Sequence, residues 1–315
     1  MKYSLVNRFR GCFLGLAMGE GLGGQVNPSP HWCNPGKATV CSQLQWTAVT
    51  ILQGERLAQA GQWIVEENFL PESLRENPTG CLSAGELAIA TLPITLFYHD
   101  NLTQQRHHLA ATVTAWGGDL STSDAVIVFG YAIAQAIKEQ LNPAYLIAQI
   151  LTYLHVSLPE SAVRSADLIS TLETLKSLVA QGSELQSAIA AFQLEAETQS
   201  MTVEIAIALY CFLQTPDTIA LALIRAVRMR VKPEIVGALV GALAGAYNSS
   251  TGIPAEWQCA LQAPFTTPET PQRIHSLSTH LVSAWSGIYD PFIVQETEIP
   301  IVTVPWIVRS QRIVS

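Results

Sequence analysis

Two uninterrupted apolar runs, Ala125 to Ile137 and Ile235 to Tyr247, limit most sharply what this chain can fold into. Each holds 13 residues without a formal charge, short of the ~20 that an α-helix needs to cross a bilayer. A helix that is apolar on every side and too short to span must lie inside a protein core. Covering such helices takes a long chain with little charge. The sequence has 315 residues, of which 49% are apolar and 13% charged, with mean hydropathy +0.25, where an average soluble domain carries roughly 25% charge. A chain of this length can bury about three quarters of its unfolded surface. The composition therefore predicts one large core and excludes disorder.

A net charge of −8 and a pI of 5.4 repel a phosphate backbone, which clustered Lys and Arg would have to neutralise. Nucleic acid is not an expected partner, and neither is a membrane. Lys2, Arg8 and Arg10 ahead of Cys12 to Met18 imitate a signal peptide, but Gly11, Gly15 and Gly19 dilute the apolar stretch and Glu20 follows at once. The cysteines Cys12, Cys33, Cys41, Cys81, Cys211 and Cys259 form no Cys-x-x-Cys pair and mostly sit in apolar runs. Such residues behave as small hydrophobes, so reduced thiols and a cytoplasmic location are expected.

Helical periodicity recurs from end to end, and the predicted class is all-α. Helices are expected over Val6–Met18, Leu44–Ala60, Ala84–Tyr98, Gln104–Trp116, Ser123–Gln140, Ala144–His155, Glu160–Ala180, Val203–Leu213, Thr218–Met229 and Pro233–Tyr247. Asn142 before Pro143, Ser121 and Asp217 are candidate caps. Gly19 to Ser42, rich in glycine and proline, reads as a long ordered loop lining a site. After Pro291 the β-branched, proline-broken segment from Ile299 to Val308 reads as an extended tail or edge strand. The expected organisation is one helical domain over 1–290 and a tail over 291–315.

Several familiar motifs fail on context. Gly19-Glu20-Gly21-Leu22-Gly23-Gly24 has the spacing of a dinucleotide fingerprint, but a helix precedes it where that motif needs a strand. Gly36-Lys37 has His31 where a phosphate loop needs its leading glycine. No Gly-x-Ser-x-Gly elbow is present, and the histidines show no metal spacing. His107 and His108 read as surface residues of a polar helix.

Four segments resemble the ADP-ribosylglycohydrolase family, over about four fifths of the chain. Arg8 to Gly23 (RFRGCFLGLAMGEGLG) resembles the family's opening helix and its Gly-Asp-Ala-Leu-Gly turn, with Glu20 at the usual Asp. Ala88 to Leu96 (AIATLPITL) resembles an Ala-Met-Arg-Ile-Ala-Pro-Leu-Gly-Leu segment. Thr202 to Leu213 with Ile224 to Tyr247 resembles the final stretch ending in Gly-Ala-Leu-Ala-Gly-Ala-Tyr, followed here by Ile253-Pro254-Ala255-Glu256-Trp257. The resemblance implies a compact all-α bundle in which two magnesium ions activate water and position an ADP-ribose for hydrolysis of its glycosidic bond. The implied ligands are a Thr-Asp-Asp-Thr run opening an early helix and an Asp-Thr-Asp-Thr run opening a late one, as a hard cation with octahedral oxygen coordination requires.

Both runs are altered. The early one reads Leu44-Gln45-Trp46-Thr47 and the late one Lys232-Pro233-Glu234-Ile235. An amide and an indole replace the early carboxylates, and Lys232 brings an ammonium to a position implied for a metal ligand. The expectation is a dismantled metal centre with no cofactor: a pseudoenzyme, or a ligand-binding or regulatory protein. Gln45, Trp46, Thr47, Arg228 and Lys232 are the candidate ligand-binding residues, for an ADP-ribose-like or other anionic small molecule. Lys232 either replaces the metal charge, pairing with Glu234 or a ligand phosphate, or is a solvated residue before a helix. Arg225, Arg228 and Lys232 share a helical face at i, i+3 and i+7, which is either an anion-binding patch or a solvated helix end. Trp46 either stacks on a ligand or fills the space the metals left. Two alternatives stand beside this reading. One is an active hydrolase using Glu20 and Glu234 as a carboxylate pair; the other is a protein–protein interaction module working through its surface or tail.

Overall fold

The computed structural model describes residues 3–24, 44–65, 82–157, 166–197, 202–260 and 270–288. They form fourteen α-helices, one 3₁₀ turn and no strand. In chain order these are α1 (Leu5–Gly23), α2 (Gln45–Ala60), α3 (Ala84–Ala90), α4 (Leu92–Phe97), α5 (Leu102–Ala115), α6 (Leu120–Ile137) and α7 (Leu146–Ser157). They continue with α8 (Ala166–Ala180), α9 (Leu185–Glu197), α10 (Val203–Gln214), α11 (Ile219–Arg228), α12 (Pro233–Asn248), α13 (Ala255–Ala260) and α14 (Thr270–Ser286). The expected all-α bundle is what forms. The extended tail and most of the Gly19–Ser42 segment lie outside the described residues.

At the centre lies α12, buried continuously from Ile235 to Ala246 and packed against α1, α3, α6, α10 and α11. Its closest neighbour is α1, which runs antiparallel to it: Gly11 meets Gly245, Gly15 meets Gly241, Gly19 meets Gly237 and Gly23 meets Pro233. With no Cβ on the three facing glycine pairs, the two backbones come into direct contact. This corrects the expected end of the first helix. The glycines after Met18 continue α1 to Gly23, because their helical cost is offset by close packing that any larger residue would forbid.

Expected elements also split and shift for local reasons. Ala84–Tyr98 divides into α3 and α4 at Thr91, because Pro93 has no N–H to donate to the Ile89 carbonyl. That carbonyl is bonded instead by the Thr50 hydroxyl of α2, at 2.9 Å. Asp119, not Ser121, caps α6, accepting from the Thr122 amide at 2.7 Å. Thr218, not Asp217, stands at the start of α11, with no side-chain cap bond. Asn142 accepts from the Ala144 amide at 3.0 Å, and α7 begins only at Leu146. Helices α9, α13 and α14 escape the periodicity reading. The inward face of α14 (Ile274, Leu277, Ser278, Leu281, Val282, Trp285) has helical spacing but contains a serine.

The 13-residue run from Ala125 is the greater part of α6, an 18-residue helix of mean hydropathy 1.4, long and apolar enough to cross a membrane. Here 83% of that stretch is buried inside the fold, against α3, α4, α5, α7 and α12. Cys12 and Cys211 are free thiols, both fully enclosed, and burial pushes Cys211 up to about 12.

Candidate functional site

The bundle is polarised. Arg8, only 4% exposed, donates through Nη1 to the Ala136 carbonyl (2.7 Å) and the Ala246 carbonyl (3.1 Å), the last turns of α6 and α12. Its Nη2 pairs with Glu139 at 2.7 Å. A guanidinium thus sits on the negative ends of two parallel helices, and their positive ends point the other way, toward the end of α1. The first turns of α2, α3, α10 and α12 meet there.

Each of those turns is matched to a carboxylate. Glu20, 3% exposed near the end of α1, accepts from the Trp46 amide (2.8 Å) through Oε1 and from the Thr47 amide (2.8 Å) and hydroxyl (2.6 Å) through Oε2. The residue at the α2 cap position is Leu44, which has no acceptor in its side chain. Glu20 does from another helix what an N-cap side chain ordinarily does locally. Glu204, in the first turn of α10 with its side chain 4% exposed, accepts from the Gly85 amide of α3 at 3.2 Å. Ser83 and Glu86 complete that turn with a capping box. Glu234 lies in the first turn of α12.

Lys232 stands among these acids. Its Nζ is 2.9 Å from Glu204 Oε1, and 44% of its side chain remains exposed. The sequence offered Glu234, a ligand phosphate or solvent as its partner; the structure gives it Glu204. Nor does it share a helical face with Arg225 and Arg228. Helix α11 ends at Arg228, and Arg230 (φ 59°) and Lys232 (φ 33°) turn the chain through left-handed backbone before α12 starts. Such conformations cost a non-glycine residue on the order of 1 kcal/mol or more. Arg228 and Gln45 are exposed, while Trp46 is 7% exposed with its indole in the core.

Burial pushes Glu20 above the usual carboxylate range, against the hydrogen bonds from Thr47 and Trp46, and the charge of Glu234 adds to the rise. Glu204 is also raised, by burial that outweighs the attraction of Lys232. Burial alone would lower Lys232, but Glu204, Glu86 and Glu234 together hold it above the ordinary lysine value. On α6, Asp124 is 9% exposed, and burial with the nearby Asp119 charge raises it to about 6.

Among the described residues, the oxygens gathered at this end do not form a seat for two magnesium ions. Both Glu20 oxygens are engaged by α2, and Lys232 already holds Glu204. Among the described residues no three His, Cys, Asp or Glu side chains are placed to share a metal. The residues that sequence reasoning missed are Glu204 and Glu86. The signal for the first was present: Glu204 is the lone charge in the apolar run from Val203 to Leu213.

A helical bundle with its polar groups gathered where helix N-termini converge is the kind of scaffold on which small-molecule sites are built. The family model for ADP-ribosylglycohydrolase matches residues 1–290, and the chain belongs to that family. A solved structure described as "ADP-ribosylglycohydrolase-related protein complex" shares the fold, with TM-score 0.61 and 19% identity over 90% of this chain and 100% of the other. No curated protein matches.

Proposed function

We propose that this family member does not run two-metal hydrolysis and serves as a ligand-binding or regulatory protein in the cytoplasm. The observation that carries this reading is the Lys232–Glu204 pair. It puts a covalently attached cation, already paired, at a position where the family resemblance implies a magnesium ligand. Gln45 and Trp46 remove the early carboxylates, and Glu20 is committed to holding α2. The ligand class is an ADP-ribose-like anion, met by the exposed Arg228, by the open side of Lys232 and by the exposed Gln45 at the start of α2; Trp46 and Thr47, expected beside it, are buried, and Thr47 is held by Glu20.

Hydrolysis of ADP-ribosylated arginine, measured with excess magnesium or manganese and again in EDTA, tests the catalytic half. Neither condition gives turnover on this reading, and metal-dependent turnover by the folded protein overturns it. Titration with ADP-ribose in EDTA tests the binding half: affinity falls as salt rises and falls on Lys232→Ala. A second reading rests on the electrostatic coupling of Glu20 to Glu234. It makes the pair a metal-free carboxylate machinery, and it requires turnover in EDTA that Glu234→Gln removes.

A further inference from the structure

We infer that the groove between the second half of α6 and α7 is a separate ligand site, built for an uncharged planar heterocycle of the nucleobase or nucleoside class. Its volume is about 540 Å³, within the roughly 300–1,000 Å³ that small-molecule sites span. Tyr131 and Gln135 line it from α6, and Tyr145, Gln149, Thr152 and Tyr153 from α7 and the residue before it. Among the described residues, none that lines it carries a formal charge. A phosphate or carboxylate finds no partner there, which sets the groove apart from the surroundings of Lys232. It is also remote from them along the bundle: Gln135 precedes Ala136, whose carbonyl Arg8 holds at the opposite end.

Two features specify the ligand. The rings of Tyr131 and Tyr153 lie nearly parallel, at 20°, with centroids 4.5 Å apart, so nothing fits between them and a flat ligand is met by outer ring faces. Tyr145, 63% exposed at the edge of the groove, offers another such face. Stacking on aromatic side chains suits any nucleobase, because every base has a π-face. The other feature is polar. The Gln149 carboxamide oxygen is enclosed and receives no hydrogen bond. Nearly all buried polar atoms of a folded chain are satisfied, and one left unanswered in a groove wall marks where a ligand donor belongs. The terminal torsion of glutamine is soft, so this oxygen turns to an amino or ring N–H group while the amide NH₂ meets a neighbouring ring nitrogen or carbonyl. That is the two-point contact a glutamine makes with a base edge. Gln135 is already held by the Tyr131 hydroxyl, and the Thr152 hydroxyl donates to the Ala148 carbonyl at 2.9 Å. Gln149 is left to read the ligand.

Calorimetric titration of the full chain with adenosine, cytidine and uridine, beside free ribose, tests the assignment. At least one nucleoside binds saturably with Kd of about 1 mM or tighter. Added salt does not weaken it, because no charge is engaged, and ribose, which has no π-face, does not bind. Gln149→Leu removes the unanswered oxygen with little change in volume. Binding falls at least about tenfold, as for a lost base-edge contact, while the melting temperature does not fall, since no hydrogen bond to that oxygen is lost. Tyr145→Ala weakens binding at least about fivefold through the lost stacking face. Lys232→Ala leaves nucleoside affinity unchanged, so this site and the anion site proposed above fail separately.

Absence of saturable binding by all three nucleosides at about 5 mM overturns the inference. So does binding that either groove substitution leaves unchanged, or that falls on Lys232→Ala. A Gln149→Leu variant that melts below wild type makes the oxygen structural and removes Gln149 from the site. Self-association of the chain that Tyr145→Ala abolishes also overturns it, the groove then being an interface between copies.

Discussion

Gly15 and Gly241 face each other with no side chain between them: a Cβ built on either falls inside contact distance of the other's carbonyl oxygen. The clash would be with backbone, so no rotamer relieves it. Gly15→Ala or Gly241→Ala is expected to destabilise by about 3 kcal/mol or more, the upper part of the range for overpacked cores. Chemical denaturation measures the loss. Gly182→Ala is the control for substitution as such, since Gly182 has open space around it and its penalty comes only from φ +58°.

Arg8 ties the other end of the bundle, through the Ala136 and Ala246 carbonyls and Glu139. Arg8→Met leaves those carbonyls and a partly buried carboxylate without their donor, at a cost of about 3–5 kcal/mol. Arg8→Lys keeps the charge but not the forked geometry, and it recovers only part. Thermal melts of the two variants give the order wild type, Lys, Met. If Lys and Met melt alike, the forked geometry is not what matters.

Glu20→Ala strips α2 of its cap and leaves buried donors at Trp46, Thr47 and the Thr47 hydroxyl unanswered. The expected loss is about 1–3 kcal/mol. Native-state hydrogen exchange locates it: amides 46 and 47 lose protection, while those of the middle of α12 exchange nearly as before. Uniform loss across both helices would mean that Glu20 stabilises the fold as a whole and not the start of α2.

Asp124 supplies a pH test. Its folded value of about 6 stands above the ordinary 3.8, so the folded chain holds this proton more tightly than the unfolded one. Its contribution is fully present below pH ~4 and is lost as pH rises through about 6. Asp124→Asn should therefore melt higher than wild type at pH 7.5, with the gap closing as pH falls to 4. A gap that stays constant across that window removes Asp124 from the account.

How far the site was legible depended on what each residue answers to. That Gln45, Trp46 and Lys232 carry no carboxylate was legible at once, because residue identity is a property of the sequence itself. The partner of Lys232 was not, since Glu204 belongs to another helix and pairing across helices depends on how they dock. From the sequence Glu20 pairs with Glu234 as a candidate catalytic carboxylate; its hydrogen bonds show it serving as the cap that Leu44 cannot provide. The glycines of α1 looked like interruptions of an apolar run; only with α12 laid against them do they become its contact surface.

The sequence by itself determined the helical class and the burial of the Ala125 and Ile235 runs, and it shows that Gln45, Trp46 and Lys232 are not carboxylates. Those follow from composition, from periodicity along one chain and from residue identity. Tertiary structure alone decided the register of α1 on α12, the gathering of helix N-termini at one end, and the meeting of Lys232 with Glu204. Periodicity describes which residues share a face of one helix. Which helix covers that face, and at what height, is settled by packing: backbone contact between α1 and α12 fixes their register, and the charged groups are carried to their partners with it.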